Sequence, residues 1–141
     1  SAASDVYKRQ LHDIGKYYIL TRSQQYTVLF NEPGMLEDIM NKWHTSIGRK
    51  ILESWDFNED VCKAADEHET LDRTHFGPPN LTDIVLVANL FAKNDDPYRV
   101  PDLDWEAIPT LRHLELTNEV ATEILDESKE KIQSIIQALG A

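Results

Sequence analysis

The sequence predicts an all-α fold, and three observations carry that prediction. Apolar residues recur at the three- and four-residue spacing of helix faces along most of the chain. The one stretch that could pass for a strand, residues 26–30, has no second strand pattern to pair with. The 141 residues are 41% hydrophobic and 28% charged, a composition typical of one globular domain rather than a disordered chain.

The first half of the chain predicts two main helices. Residues 11 to about 20 form the first, with an apolar stripe, and residues 21–31 are a helix or an irregular connection. Pro33 and Gly34 then interrupt the chain, and proline is favoured in a first helical turn. Residues 35–55 follow as one long helix or two nearly continuous ones, because apolar residues recur there at helical spacing.

The second half predicts four further helices, three of which begin after a capping residue. Asn58 caps a helix that carries Val61, Ala64, Ala65 and His68, and residues 69–80 form a loop. Asn80 caps a central helix over residues 81–93 that is buried on most sides, and a short helix covers residues 109–114. Thr117 caps the final helix, whose predicted buried face is drawn by Val120, Ile124, Ser128, Ile132, Ile135, Ile136 and Leu139.

Charge and cysteine content exclude several classes of function. The net charge of −11 argues against binding to nucleic-acid phosphates or to an anionic membrane surface. Cys62 is the single cysteine, which excludes an internal disulfide and a cysteine zinc cluster and fits a reducing compartment. No apolar run approaches the ~18 residues of a membrane span. We therefore expect a soluble, cytoplasmic protein.

The first ten residues differ in character from the rest. Residues 1–10 are polar, lack an amphipathic period and resemble a translated sequencing adapter. We expect them to be a non-native or disordered tail, with a natural upstream segment missing. Residues 11–141 would then be a partial domain.

Polar side chains on four predicted helices indicate a buried site. His12 and Asp13 stand beside the first apolar stripe, His44 and His68 lie on inward faces, and Asn89 interrupts the most apolar helix. Each alone has an ordinary explanation, since an isolated inward histidine is more often a satisfied core or cap residue than a ligand. Together they match the way helical bundles build a metal site in the core. Imidazole and carboxylate ligands would suit manganese, iron, cobalt or zinc rather than calcium.

The same residues carry a resemblance to a known family. His12-Asp13, within Leu-His-Asp-Ile-Gly-Lys, resembles the doublet that names the HD metal-dependent phosphohydrolase superfamily. His44 before Ile47-Gly48, Trp55 and His68-Glu69 follow in the same order. More specifically, residues 11–139 resemble the HDOD domain, a bacterial signalling relative of the HD and HD-GYP enzymes. The resemblance implies an HD-type helical bundle with His12, Asp13, His44 and His68 as metal ligands.

The departures from the pattern bear on activity. The resemblance implies an earlier histidine upstream of the doublet, which residues 1–10 do not supply, and a late aspartate where this chain has Asn89. Glu69 stands where HD-GYP enzymes carry a second histidine, and it is a further candidate ligand. HDOD domains as a family are commonly regarded as regulatory or interaction modules that have lost hydrolysis.

Two functions follow as hypotheses. The first is a regulatory HDOD module that acts through protein partners or neighbouring domains of a signalling chain, with a degenerate metal pocket in which the ion is retained or lost. The second is a metal-dependent phosphoester hydrolase, in which Lys16 would stabilise charge on the phosphate oxygens. Without its upstream segment, the chain is also expected to expose apolar surface and to associate with itself.

Overall fold

The computed structural model describes residues 11–96 and 98–140, and every regular element within these residues is a helix. No strand occurs in the described part of the chain, so the all-α prediction is confirmed. The predicted tail, residues 1–10, lies outside the described residues. The helices are α1 (Ile14–Ser23), α2 (Val28–Asn31), α3 (Met35–Ser54), α4 (Glu59–Glu67), α5 (Leu81–Ala92), α6 (Pro109–His113) and α7 (Asn118–Ala138).

The long helix α3 is the centre of the packing. It lies against α1 on one side and α4 on another, and α4 in turn packs against α5. A core cluster of Leu52 from α3 and Val61, Cys62 and Ala65 from α4 joins these helices. Its partly buried neighbours are Leu11, Ile14, Phe57 and Leu81. Among the described residues, no helix combines the length and the apolar character needed to cross a bilayer.

Two glycines allow α1 and α3 to cross at close range. A Cβ atom on Gly15 would lie 1.9 Å from the carbonyl oxygen of His44, which is far inside any permitted contact. A Cβ atom on Gly48 would lie 3.4 Å from the backbone nitrogen of Gly15. Both glycines thus permit a close helix approach, and Gly15 is the stricter of the two positions.

Three predicted capping residues cap their helices. The side-chain oxygens of Asn58 and Thr117 accept hydrogen bonds from the backbone nitrogens of Val61 and Val120. Asn80 and Asp83 form a reciprocal capping box at the start of α5. These caps start the three helices at the positions that the sequence predicted.

The boundaries of two helices differ from the prediction. Helix α1 begins at Ile14 rather than at Leu11, so His12 and Asp13 lie in the turn that precedes it. Helix α4 ends at Glu67, and His68 is its C-cap residue. The apolar period of a sequence does not distinguish the last turn of a helix from a non-helical turn beside it. The shifted start of α1 and the shifted end of α4 both place site residues at helix ends.

Two predicted buried faces are exposed, and those predictions were wrong. Helical spacing from His44 predicts that Trp55 shares its inward face, but Trp55 follows the end of α3 and is 57% exposed. Helix α5, by contrast, is buried or half-buried around most of its circumference as predicted, and Ile84, Ala88 and Ala92 form its exposed strip. In α7 the single buried residue is Ala121. Periodicity shows that one side of a helix is apolar, but it does not show that another element covers that side.

Candidate metal centre

The predicted ligands come together between the ends of α1 and α4 and the middle of α3. Asp13 Oδ1 lies 3.2 Å from His68 Nε2 and 3.7 Å from His44 Nε2. His12 Nε2 lies 3.3 Å from the other carboxylate oxygen of Asp13. Glu69 Oε2 approaches His44 Nε2 to 3.5 Å. Five side chains thus form one cluster of imidazole nitrogens and carboxylate oxygens.

The backbone determines which ring nitrogen of each buried histidine faces this cluster. Nδ1 of His44 donates to the carbonyl oxygen of Met40 at 2.7 Å, and Nδ1 of His68 donates to that of Ala65 at 2.9 Å. A carbonyl oxygen can only accept, so both Nδ1 atoms carry the proton. In the neutral ring of His44, Nε2 therefore presents a lone pair to the cluster, whereas Nε2 of His68 lies within hydrogen-bond distance of Asp13 Oδ1 at 3.2 Å. Metal-bound histidines are held in place by this same type of second hydrogen bond.

The lone pair of His44 Nε2 has no hydrogen-bond partner. The side chain is fully buried, and its Nε2 atom makes no hydrogen bond within the described structure. Burial lowers the pKa of His44, with the positive charge of Lys16 acting in the same direction, against the opposing effects of Met40 and Glu69. A buried, neutral imidazole whose acceptor nitrogen is unsatisfied is costly unless a cation or a proton donor is present.

Asp13 faces the histidines instead of capping its own helix. It occupies the N-cap position of α1, where an aspartate usually accepts a backbone hydrogen bond, but its side chain makes none there. Burial by itself would raise the pKa of Asp13, yet hydrogen bonds with His12 and His68 and the nearby charges of His12 and Lys16 hold it well below the usual range. Asp13 is therefore ionised at neutral pH and available as a ligand.

Two lysines lie at the border of the cluster. Lys16 Nζ is 3.7 Å from Asp13 Oδ1, and Lys93 Nζ is 3.2 Å from Glu69 Oε1. Burial would raise the pKa of Glu69, but the hydrogen bond from Lys93 and the charges of the neighbouring groups lower it. Side chains of His12, Asp13 and Glu69 remain about a quarter exposed, so the cluster is open to solvent on one side.

The donor set fits a transition-metal ion. Ligand atoms bound at about 2.1 Å from one ion, at angles of about 90–110°, lie roughly 3.0–3.5 Å apart. The separations between the Nε2 and carboxylate oxygen atoms here are 3.2–3.7 Å. His12, Asp13 and His68 form one group that could hold an ion, and His44, His68 and Glu69 form another. His68 belongs to both, so the two groups meet at one imidazole.

The structure brings the four predicted ligands and Glu69 together, but the roles of the other two candidates stay predictions. Lys16 lies beside Asp13, and its action on a phosphate group is untested. Asn89 is 9% exposed on α5, as its placement among apolar residues predicted. That it replaces an aspartate ligand is implied by the resemblance alone.

A second polar cluster was not foreseen from the sequence. His75, Asp83 and His113 bring ligand atoms within 4.8 Å of one another, and Arg73 also contacts Asp83. Asp83 lies on α5 at a position that appeared only as part of an apolar run, and His75 lies in the loop before it. The sequence Arg73-Thr-His75 could have indicated this cluster, because it places two basic residues in a long loop and such loops often carry function.

Comparisons of the chain with protein-family models, with curated proteins and with solved structures gave no match. Within the described residues, the evidence for function therefore rests on the geometry of the two clusters.

Proposed function

We propose that this chain is a helical regulatory module of the HDOD type, which binds a divalent transition-metal ion in its polar pocket and acts through contacts with protein partners. One observation carries the metal part of this proposal: the unsatisfied Nε2 of the buried His44 faces the carboxylates of Asp13 and Glu69 at 3.7 and 3.5 Å. A cation placed between these acceptors would satisfy the His44 nitrogen and compensate the carboxylate charge.

The residues favour manganese, iron, cobalt or zinc as the ion in this pocket. Imidazole nitrogen combined with carboxylate oxygen is the ligand set of these ions, whereas calcium prefers oxygen ligands alone. His12, Asp13, His44, His68 and Glu69 would hold the ion. The hydrogen bonds of His44 and His68 to backbone carbonyls would keep the two rings in position before binding.

The regulatory part rests on two observations of different kinds. Asn89 offers a neutral amide in place of the carboxylate that the resemblance expects, which weakens the case for turnover. The surface of α1 and the end of α3 exposes large aromatic side chains, including Tyr17, Tyr18 and Trp55. Clustered apolar side chains of this size support an interaction role.

Hydrolysis of a phosphoester is the second candidate, and the position of Lys16 favours it. The lysine ammonium borders the cluster on its solvent-open side, where it could approach a bound phosphate. When bound, the ion would supply Lewis-acid polarisation of the phosphoryl group. Asp13 would hold the ion, and Lys16 would stabilise negative charge on the phosphate oxygens.

The test of metal binding is elemental analysis of the untagged chain after dialysis against manganese, iron, cobalt or zinc. We expect close to one equivalent of at least one metal in the wild type. Asp13→Asn keeps the shape of the side chain but removes its charge, and it should lower affinity about 10- to 100-fold. Asp126→Asn on exposed α7 is the matched control and should bind like the wild type. A wild type without bound metal would overturn the metal assignment.

The two functions are separated by a phosphodiesterase assay with a generic substrate and added manganese. Turnover that Asp13→Ala abolishes would establish the hydrolase and reject the purely regulatory function. Metal binding without turnover would support the regulatory module.

A further inference from the structure

A second cleft, of about 280 Å³, lies between the loop that follows α4 and the short helix α6. Its walls carry basic and hydroxyl side chains, although the chain as a whole has a net charge of −11. The residues that matter for its chemistry are Arg73, His75, Asp83, Thr110, Arg112 and His113. This cleft shares no lining residue with the candidate metal centre.

The negative charge of Asp83 in this cleft is already compensated by neighbouring hydrogen-bond donors. Asp83 is 1% exposed, and its Oδ1 accepts a hydrogen bond from the Arg73 guanidinium. Its Oδ2 accepts from His75 Nε2 at 2.7 Å and from the backbone nitrogen of Asn80 at 2.8 Å. Arg73 also donates to Glu67 at 3.1 Å. Both carboxylate oxygens of Asp83 are therefore engaged by donors.

These contacts make the cleft a poor cation site despite its two histidines and one aspartate. His75 Nε2 and Asp83 Oδ2 are joined by a direct hydrogen bond, which leaves no room for an ion between them. The Arg73 guanidinium, which stays charged in proteins, occupies the other oxygen. In the candidate metal centre, by contrast, His44 Nε2 makes no hydrogen bond and stands 3.7 Å from Asp13 Oδ1 and 3.5 Å from Glu69 Oε2.

Three other side chains in the cleft are available to bind a ligand. The Thr110 hydroxyl is buried, and it has no hydrogen-bond partner within the described structure. Arg112 is exposed, and no carboxylate of the described residues lies within ion-pair distance of it. The His113 ring stacks at a tilt on His75, with 4.7 Å between ring centroids. A buried hydroxyl without a partner calls for an explanation, and a bound polar ligand is one.

We propose that this cleft binds a phosphate group, held by the Arg112 guanidinium, the Thr110 hydroxyl and the His113 imidazole. Arginine matches the geometry of phosphate oxygens, and a hydroxyl can donate to them. The Arg73–Asp83–His75 system forms the rigid wall behind the ligand. The volume lies at the lower end for ligand pockets, so it accommodates inorganic phosphate or the phosphate group of a small molecule. This proposal is independent of the proposed function.

The experiment is a titration of the ¹⁵N-labelled full chain with inorganic phosphate, followed by NMR, in a phosphate-free buffer. Sodium chloride at equal ionic strength provides the reference. We expect saturable shifts of the backbone amides of Thr74, Thr110 and His113. Arg112→Ala should weaken binding about tenfold or more, since charge-assisted hydrogen bonds are lost. Arg99→Ala removes an exposed arginine outside the cleft and should bind phosphate like the wild type.

Thr110→Val provides an independent readout because it keeps the shape and removes the hydroxyl. It should weaken phosphate binding while leaving the melting temperature unchanged or raised, since an unsatisfied buried hydroxyl is removed. Shifts that do not saturate, or that Arg112→Ala and Arg99→Ala affect equally, would overturn the proposal. Saturable binding of zinc in this cleft without binding of phosphate would overturn it as well.

Discussion

The backbone of Gly15 packs directly against the carbonyl of His44, so closely that a Cβ atom would stand 1.9 Å from that oxygen. This contact joins the packing of the helices to the geometry of the candidate metal centre. Asp13 precedes Gly15 by two residues, and the side chain of His44 enters the cluster from α3. The close approach of α1 to α3 therefore brings the Asp13 carboxylate within 3.7 Å of His44 Nε2.

The first prediction concerns Gly15→Ala. The added methyl group meets backbone, which cannot rotate away, so α1 must move from α3. We expect a loss of about 2–3 kcal/mol or more in the free energy of unfolding, measured by urea denaturation. Metal content should fall in the same variant, because Asp13 moves with α1.

Gly48→Ala is the matched control on the opposite helix. Its Cβ atom would meet Gly15 at 3.4 Å and Ile14 Cγ2 at 3.6 Å, distances close to ordinary contact. Alanine also favours the helix by up to about 1 kcal/mol over glycine. We expect a small net change in stability. Equal destabilisation by the two substitutions would contradict the strict requirement at Gly15.

The second prediction compares two arginines that both contact several carboxylates. The Arg73 side chain is 5% exposed and pairs with Asp83, which is 1% exposed. Removing one member of a buried pair leaves the other charge without compensation, so Arg73→Ala should cost about 3 kcal/mol or more. Arg49 contacts Glu53, Glu59 and Asp66 near the surface. Arg49→Ala should cost no more than about 1 kcal/mol, and equal costs in urea denaturation would refute the distinction.

The third prediction concerns pH. Hydrogen bonds to Asp83 and to the Phe76 carbonyl raise the pKa of His75 above 6.5. Protonation of His75 therefore stabilises the folded state; this contribution is complete below pH 6.5 and is lost as pH rises through the raised pKa. His75→Gln should destabilise the chain more at about pH 6 than at about pH 9.

NMR titration of the His75 ring gives the direct measurement. The ring should titrate above the ordinary histidine pKa in the wild type, and Asp83→Asn should lower that value, because the charged acceptor is lost. A His75 pKa that Asp83→Asn leaves unchanged would show that the ion pair does not control it.

The fourth prediction concerns self-association through the aromatic surface of α1 and α3. Tyr17 is 65% exposed, and together with Trp55 it lines a shallow apolar groove. We expect sedimentation velocity to show association that grows with protein concentration and with salt, since salt screens the repulsion between chains of charge −11. The double variant Tyr17→Ser/Trp55→Ser should remain monomeric.

Ile135→Ser on α7 is the control, because it removes an exposed apolar side chain from a different surface. It should leave the association unchanged. A wild type that stays monomeric throughout the concentration series would show that this surface does not join copies of the chain.

The sequence by itself determined most helices and the candidate ligands. Helical periodicity and the caps at Asn58, Asn80 and Thr117 were sufficient to place most helices, because these signals depend on neighbours a few residues apart. The His12-Asp13 doublet, His44 and His68 were predicted as one site, and the structure brings them together with Glu69.

The tertiary structure decided which apolar helix faces are covered by other helices and which histidine nitrogens come together in the polar clusters. The face of α7 is exposed although its pattern is strongly amphipathic, because burial depends on a partner that periodicity does not identify. The cleft around Asp83 depends on Arg73 and His75 reaching it from the loop and His113 from α6, a convergence that local spacing does not encode. Local sequence controls hydrogen bonds between near neighbours, whereas contacts across the chain are settled only when the helices pack.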